Sequence, residues 1–161
     1  MAEVVMTCGK ICSGKSTYAR KLSKERNAVI LSVDEITLEL FPEGVGEMHD
    51  AYVERAERYL YRKSLEIVRT GTNVILDWGF WTRAEREYAR EFYSSHNIAS
   101  EIHYLEIGTE LWHKRINDRN ELVRAGKVSA YYVDEGLAEK FSAVFEEPEA
   151  DEINYIIRQE C

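Results

Sequence analysis

Gly9-Lys10-Ile11-Cys12-Ser13-Gly14-Lys15-Ser16, followed by Thr17, fits G-x-x-x-x-G-K-S/T. The pattern leaves few folds open, because it works only between a strand and a helix. Its glycines let the backbone curl so that successive N–H groups face one concavity, and the helix that begins there adds its positive end. The flanks agree. Val4-Val5-Met6-Thr7-Cys8 is a short, β-prone apolar segment, and Ser16 to Arg26 reads as a helix with Tyr18, Ala19 and Leu22 on one side. The expected site holds nucleotide phosphates on Gly9, Cys12, Ser13, Gly14, Lys15, Ser16 and Thr17. Lys15 would reach the β- and γ-phosphates as a mobile charge, and the Ser16 hydroxyl would ligate Mg²⁺.

The rest of the chain alternates strands and helices. Ala28-Val29-Ile30-Leu31-Ser32-Val33 is a continuous apolar run, as expected for a strand covered on both faces, and it ends at Asp34. A short helix over 35–41 stops at Pro42, Gly44 and Gly46. Glu47 to Arg69 carries the longest helical pattern, with Met48, Tyr52, Ala56, Tyr59, Leu60 and Ile67 near one face. A third strand, Asn73-Val74-Ile75-Leu76-Asp77, leads through Trp78-Gly79-Phe80-Trp81 to Thr82-Arg83-Ala84-Glu85, which fits a capping box. The helix after it is expected to turn Ala84, Tyr88 and Phe92 inward and to end near His96-Asn97. A fourth strand lies within 98–107. Thr109 is placed to cap a helix from Glu110 to about Arg124, Gly126 ends it, and 127–133 reads as loop. Asp134 caps a helix bearing Leu137, Phe141, Val144 and Phe145, and Ile153 to Ile157 reads as a last strand.

This alternation implies an α/β fold, a parallel sheet with helices on both faces. Ligands in such sheets bind beyond the carboxyl ends of the strands. The phosphate loop, Asp34 and Asp77 each follow a predicted strand, so all three should open onto one cleft. In it Asp34 is placed to accept a hydroxyl proton beside the γ-phosphate, to act through water on Mg²⁺, or simply to cap the helix after it. Asp77 ends its strand as a Walker-B carboxylate does, holding Mg²⁺ through water or orienting a substrate; the alternative is a turn residue. Trp78, Phe80 and Trp81 form either an aromatic wall for an acceptor or packing for the next helix. Arg115 and Arg119 share a helix face at i,i+4. Like charges at that spacing cost about a few tenths of a kcal/mol unless an anion lies between them, and a polyphosphate is such an anion. Arg83 and Arg86, just past Asp77, are weaker candidates for the acceptor pocket.

Composition narrows the function. The 161 residues suit one domain, spanning 1–161, with 45% hydrophobic and 31% charged residues. No apolar run approaches the ~18 residues of a membrane span, and nothing resembles a signal peptide, so a cytoplasmic protein is expected. Cys8, Cys12 and Cys161 have neither disulfide nor zinc spacing and read as reduced thiols. The four histidines lack metal-like spacing. A formal net charge of −8 offers no basic face for long nucleic acid.

Four segments, GKICSGKST from Gly9, LSVDEI around Asp34, NVILDWGFWTRAER around Asp77 and KRINDRN around Arg115 and Arg119, resemble a group of small P-loop kinases. The group includes chloramphenicol phosphotransferase-like proteins, zeta-toxin type kinases and the 5′-kinase domain of polynucleotide kinase. The resemblance implies a three-layer, nucleoside-kinase-like P-loop fold with strand order 2-3-1-4-5. It also implies an aspartate base at Asp34 and an arginine-bearing lid around 110–130 with Arg115 and Arg119. The polynucleotide kinases carry an arginine three residues after that aspartate, where this chain has Thr37. With the acidic balance, that counts against a nucleic-acid acceptor. The resulting expectation is an ATP-dependent kinase (GTP the alternative donor) using Mg²⁺ to phosphorylate a hydroxyl of a small molecule, as a monomer or homodimer. The competing readings are a polynucleotide 5′-hydroxyl kinase and a non-catalytic ATP-binding module.

Overall fold

The computed structural model describes residues 1–128 and 130–160; Ser129, in the loop expected over 127–133, and Cys161 lie outside the described residues. In chain order the elements are β1 (Val4–Cys8), α1 (Lys15–Arg26), β2 (Ala28–Ser32), α2 (Val33–Leu40), α3 (His49–Arg69, led in by a 3₁₀ turn at Gly46–Met48), β3 (Asn73–Asp77), α4 (Arg83–Ser95), β4 (Ser100–Ile107), α5 (Thr109–Arg124), α6 (Glu135–Val144) and β5 (Tyr155–Gln159). The five strands form one parallel sheet in the order β2-β3-β1-β4-β5. This is the expected order.

Pleating sends alternate residues of β1 to opposite faces. Val4, Met6 and Cys8 pack with Val74 and Leu76 against Tyr61, Leu65 and Val68 of α3 and Ala89 and Tyr93 of α4. Val5 and Ile75 meet Ala19 and Leu22 of α1 on the other side. A third cluster joins Trp112 and Ile116 of α5 to Val133 and Ala138 beyond them, against Ile11 and Ile107. The sheet is therefore sandwiched, and its carboxyl edge is left for the loops. No helix among the described residues is long and apolar enough to cross a membrane.

Several local expectations need correction. β2 is an edge strand, not one covered on both faces, and Val29 is 41% exposed. Thr109 opens α5 rather than capping it; Gly108 holds the N-cap position with no side-chain bond. β5 begins two residues later than expected, at Tyr155. In α3 the buried ring is Tyr61, while Tyr59 faces solvent. In α4 the buried residues are Arg86, Ala89 and Tyr93; Phe92 packs half-buried against the same core, as expected, while Ala84 and Tyr88 are exposed. The buried stripe begins at Arg86 rather than Ala84, because a charged residue is buried there. The Thr82–Glu85 capping box and the Asp134 cap are present as expected.

Where α3 approaches α4, burial, reinforced by Glu85 and Glu54, pushes the Glu57 carboxyl from 4.5 to about 7. A folded-state pKa above the unfolded value means stability that is present at acid pH and lost as pH rises through about 7. Glu57→Gln is therefore expected to raise Tm at pH 8 and to change it little near pH 4.5. Thermal denaturation at both values checks this, and an equal shift at both would refute it.

Candidate active site

Register brings the functional ends together. Thr7 of β1 lies level with Asp77 of β3, and Asp77 is level with Ser32 of β2. The phosphate loop, Asp77 and the start of α2 thus leave the sheet at one height, on neighbouring strands.

The loop folds tightly around its own backbone. Gly14 has φ 95°, in the left-handed region that favours glycine. A Cβ there would also come within 2.7 Å of Gln159 Oε1 and 3.3 Å of Arg115 Nη1. At Gly9 a Cβ would lie 2.7 Å from Ser13 Oγ and 3.0 Å from the Leu105 carbonyl. Lys15 Nζ donates to the carbonyls of Gly9 (3.0 Å) and Lys10 (2.6 Å). Burial holds the Lys15 ammonium below its ordinary pKa, opposed by Asp77 and then Asp34. Two indoles brace the loop from outside: Trp81 Nε1 donates to the Gly9 carbonyl at 3.2 Å and Trp112 Nε1 to the Ile11 carbonyl at 2.7 Å. Gly79 is required for the first brace, since a Cβ there would sit 2.0 Å from Trp81 Nε1.

Ser16 Oγ donates to Asp77 Oδ2 at 2.9 Å, and Thr7 Oγ1 donates to Asp77 Oδ1 at 3.3 Å. Asp77 is buried, so its carboxylate is aimed by these bonds. Among the described residues no group of three or more His, Cys, Asp or Glu side chains is arranged to hold a metal. A hydroxyl and one carboxylate suit Mg²⁺, which keeps several waters and draws the rest of its shell from substrate phosphates.

Asp34 sits in the first turn of α2 but does not cap it. That part belongs to Ser32, whose Oγ accepts from the Glu35 N–H at 3.2 Å. The capping alternative is therefore removed, and the Asp34 carboxylate is free to face the cleft. Although solvent reaches it, the surrounding protein pushes its pKa up, with Lys15 and Arg119 opposing and Asp77 adding to the rise.

Ser16, Asp34, Asp77 and Arg119 line one cleft of about 510 Å³. The two arginines of α5 divide. Arg119 enters this cleft, its Nη1 donating to Cys12 Sγ at 3.2 Å and its buried Nε without a partner. Arg115 instead bonds Gln159 Oε1 at 3.2 Å, and both side chains lie against Gly14 of the loop. Ser13 Oγ is likewise buried without a partner. Thr17 Oγ1 accepts from Arg20 Nη2 at 3.3 Å.

The cleft does not include Trp78 or Arg83. Trp78 stacks on Phe80 and meets Tyr61 edge-on, so it is core packing. Arg83 is held in a surface cluster by Glu87, Glu149 and Asp151. Arg86 is wholly buried against Glu152. Gln159 and Trp112 were not singled out in the sequence. Trp112 had a signal, because positions 112, 115, 116 and 119 fall on one helix face; Gln159 had none.

Fold, loop and cleft define a P-loop nucleotide-binding protein. More narrowly, the chain belongs to the AAA domain family AAA_33, whose model matches residues 4–148. No functionally curated protein matches it in sequence. Among solved structures it is similar to a kinase candidate from Chloroflexus aurantiacus, with a TM-score of 0.74 and 14% identity over 98% of this chain and 84% of that one. It is also similar to the Mycobacterium tuberculosis APS kinase CysC in complex with AMPPNP and APS, at 0.71 and 16% identity over 99% and 90%. A chain of the Pnkp1/Rnl/Hen1 RNA repair complex gives 0.71 and 21% identity over 89% of this chain and 43% of that one. At these identities the likeness establishes the small P-loop kinase fold.

Proposed function

We propose that this chain transfers the γ-phosphoryl group of ATP to a hydroxyl of a small molecule. The observation that carries this reading is the meeting of Ser16, Asp77, Asp34 and Arg119 in one cleft beside the phosphate loop. A nucleotide-binding module needs the loop alone; a carboxylate free to take a proton and a guanidinium across from it are what phosphoryl transfer adds.

The loop N–H groups and Lys15 hold the polyphosphate, for which Lys15 gives up its bonds to the Gly9 and Lys10 carbonyls. Ser16 and, through water, Asp77 would hold Mg²⁺, whose charge screens the phosphate oxygens. Asp34 orients the acceptor hydroxyl and takes its proton as the new P–O bond forms and the bond from the γ-phosphorus to the bridging oxygen breaks, releasing ADP. Arg119, with a buried N–H still to be satisfied, faces the charge on the transferring group. Arg115 lies against Gly14 of the loop, bonded to Gln159.

The test is ATP turnover with Mg²⁺ against a library of hydroxyl metabolites and antibiotics, with products read by mass. One added phosphoryl mass on one compound supports the reading, and Lys15→Ala is expected to abolish both that product and tight ATP binding. Tight ATP binding with no phosphorylated compound would favour the module. A labelled 5′-hydroxyl oligonucleotide with salt-sensitive transfer would favour the polynucleotide kinase.

A further inference from the structure

Lys15 rests on two carbonyls of its own loop, and each of them already has a second donor. The Gly9 carbonyl takes the Lys15 ammonium at 3.0 Å and the Trp81 indole N–H at 3.2 Å. The Lys10 carbonyl takes the same ammonium at 2.6 Å and the Ser13 backbone N–H at 3.2 Å. This duplication matters because Gly9 is buried. A buried carbonyl that loses its donor bears the full desolvation cost of the group. When a polyphosphate draws Lys15 away, the Lys10 carbonyl keeps a backbone donor that no side-chain substitution removes. What stays on the Gly9 carbonyl is the side chain of Trp81.

Trp81 is fixed independently of that bond. Its ring lies against Phe141 of α6, with centroids 5.0 Å apart, and its own carbonyl accepts from the Glu146 N–H at 2.8 Å. The same turn also takes the other polar group of Gly9, whose N–H donates to the Gly79 carbonyl at 3.1 Å. The indole N–H therefore stands at the Gly9 carbonyl whether or not Lys15 is there.

We propose that Trp81 is a positioning residue for nucleotide binding, which holds the Gly9 carbonyl so that Lys15 can leave it for the phosphates. This rests on the reading above for the move of Lys15 and needs no acceptor. The consequence is an asymmetry between two states. In the free protein, loss of the indole N–H leaves Lys15 on the Gly9 carbonyl. In the nucleotide complex the same loss strands a buried carbonyl, so the penalty falls on binding rather than on folding.

Trp81→Phe keeps a ring against Phe141 and removes the N–H. With the full chain, Mg²⁺ and ATP, and no acceptor, it is expected to raise the Kd for ATP by about tenfold, within the range that one stranded buried carbonyl gives. Tm of the free protein should move little. A merely structural role would do the reverse, lowering Tm and leaving the Kd in place. Trp112→Phe supplies that contrast: its indole donates to the Ile11 carbonyl, outside the pair that Lys15 holds, so Tm should fall while the Kd stays near that of the parent. A second readout needs no nucleotide. In the free protein Lys15→Ala leaves Trp81 on the Gly9 carbonyl and Trp81→Phe leaves Lys15 there, whereas the double variant removes both donors. Its Tm is expected to fall by more than the two single shifts together. ATP binding by Trp81→Phe equal to the parent's, or Tm shifts that simply add, overturns the inference and leaves the kinase reading standing. Weakened ATP binding in Trp81→Phe, with no compound phosphorylated by the parent, supports the role of Trp81 and counts against the kinase reading. A parent chain that binds no ATP overturns both.

Discussion

Asp34→Asn is expected to leave ATP affinity near that of the parent and to lower the rate of phosphoryl transfer by about 10²–10⁴-fold, the usual worth of a positioned general base. The amide keeps the shape and can still accept a hydrogen bond, but it cannot take the proton. Because Ser32 caps α2, the change removes no helix cap and Tm should hold. The pH profile gives an independent check. Surrounding protein raises the Asp34 pKa, so kcat/KM of the parent should fall on its acid side above the ordinary carboxylate range. The sign follows from the role: the base works only when deprotonated, and a raised pKa moves that requirement to higher pH. In the variant this acid limb should flatten. Nucleotide titration together with product mass across pH measures both, and unchanged turnover would remove Asp34 as the base.

Arg86→Ala carries the largest expected effect on stability. Arg86 is fully buried, with Nε 2.9 Å from Glu152 Oε1 and Nη1 2.9 Å from the Phe80 carbonyl. Glu152 is 2% exposed, and its Oε2 also accepts from the Glu149 N–H at 2.7 Å. Burial alone would push the Glu152 carboxyl up; the Arg86 hydrogen bond overrides it and holds the pKa below its ordinary value. Removing the guanidinium strands that carboxylate, at a cost of about 3–5 kcal/mol. Typical domains have only about 5–15 kcal/mol in all. The stranded carboxylate would take up protons, so the deficit should shrink as pH falls. Replacing both partners by apolar residues of similar volume should recover much of the loss. Urea unfolding of the two single variants and the double variant tests this, and additive single effects would show that the pair is not coupled.

This ion pair also ties the site to the far edge of the sheet. Arg86 begins in α4, just past the Trp78–Trp81 turn, and Glu152 leads into β5, which ends at Gln159 beside Arg115. Phe80, the residue Arg86 bonds, has positive φ, and its carbonyl also accepts from Cys8 Sγ at 3.4 Å. Burial pushes the Cys8 thiol up to about 11, which keeps it a protonated donor. The turn that places Trp81 against the phosphate loop is thus anchored from two sides.

Much of this was legible along the chain because it depends on local rules. A glycine pattern, a strand before it and a helix after it define the phosphate loop wherever the fold takes them. The Thr82–Glu85 box and the Asp134 cap are backbone bonds spanning three residues, which a short motif can specify. Strands that end in a loop or a carboxylate place Gly9, Asp34 and Asp77 at one edge once the sheet is parallel, and the register of Thr7, Asp77 and Ser32 bears this out.

Tertiary structure settled what depends on distant partners. Trp78 and Trp81 are three residues apart and chemically alike, yet one stacks in the core and the other braces Gly9; only the packing of Tyr61 and Phe141 separates them. Arg83 and Arg86 looked equivalent; both reach Glu152, 66 residues beyond Arg86, but Arg86 is enclosed against it while Arg83 stays at the surface. Arg115 and Arg119 share a helix face, but Gln159 draws one away while the other turns into the cleft. The sequence determined the loop, the sheet and the family of chemistry, because each follows from neighbours in the chain. Which side chains meet in the cleft was decided by contacts between residues far apart in the chain, and no local pattern encodes those.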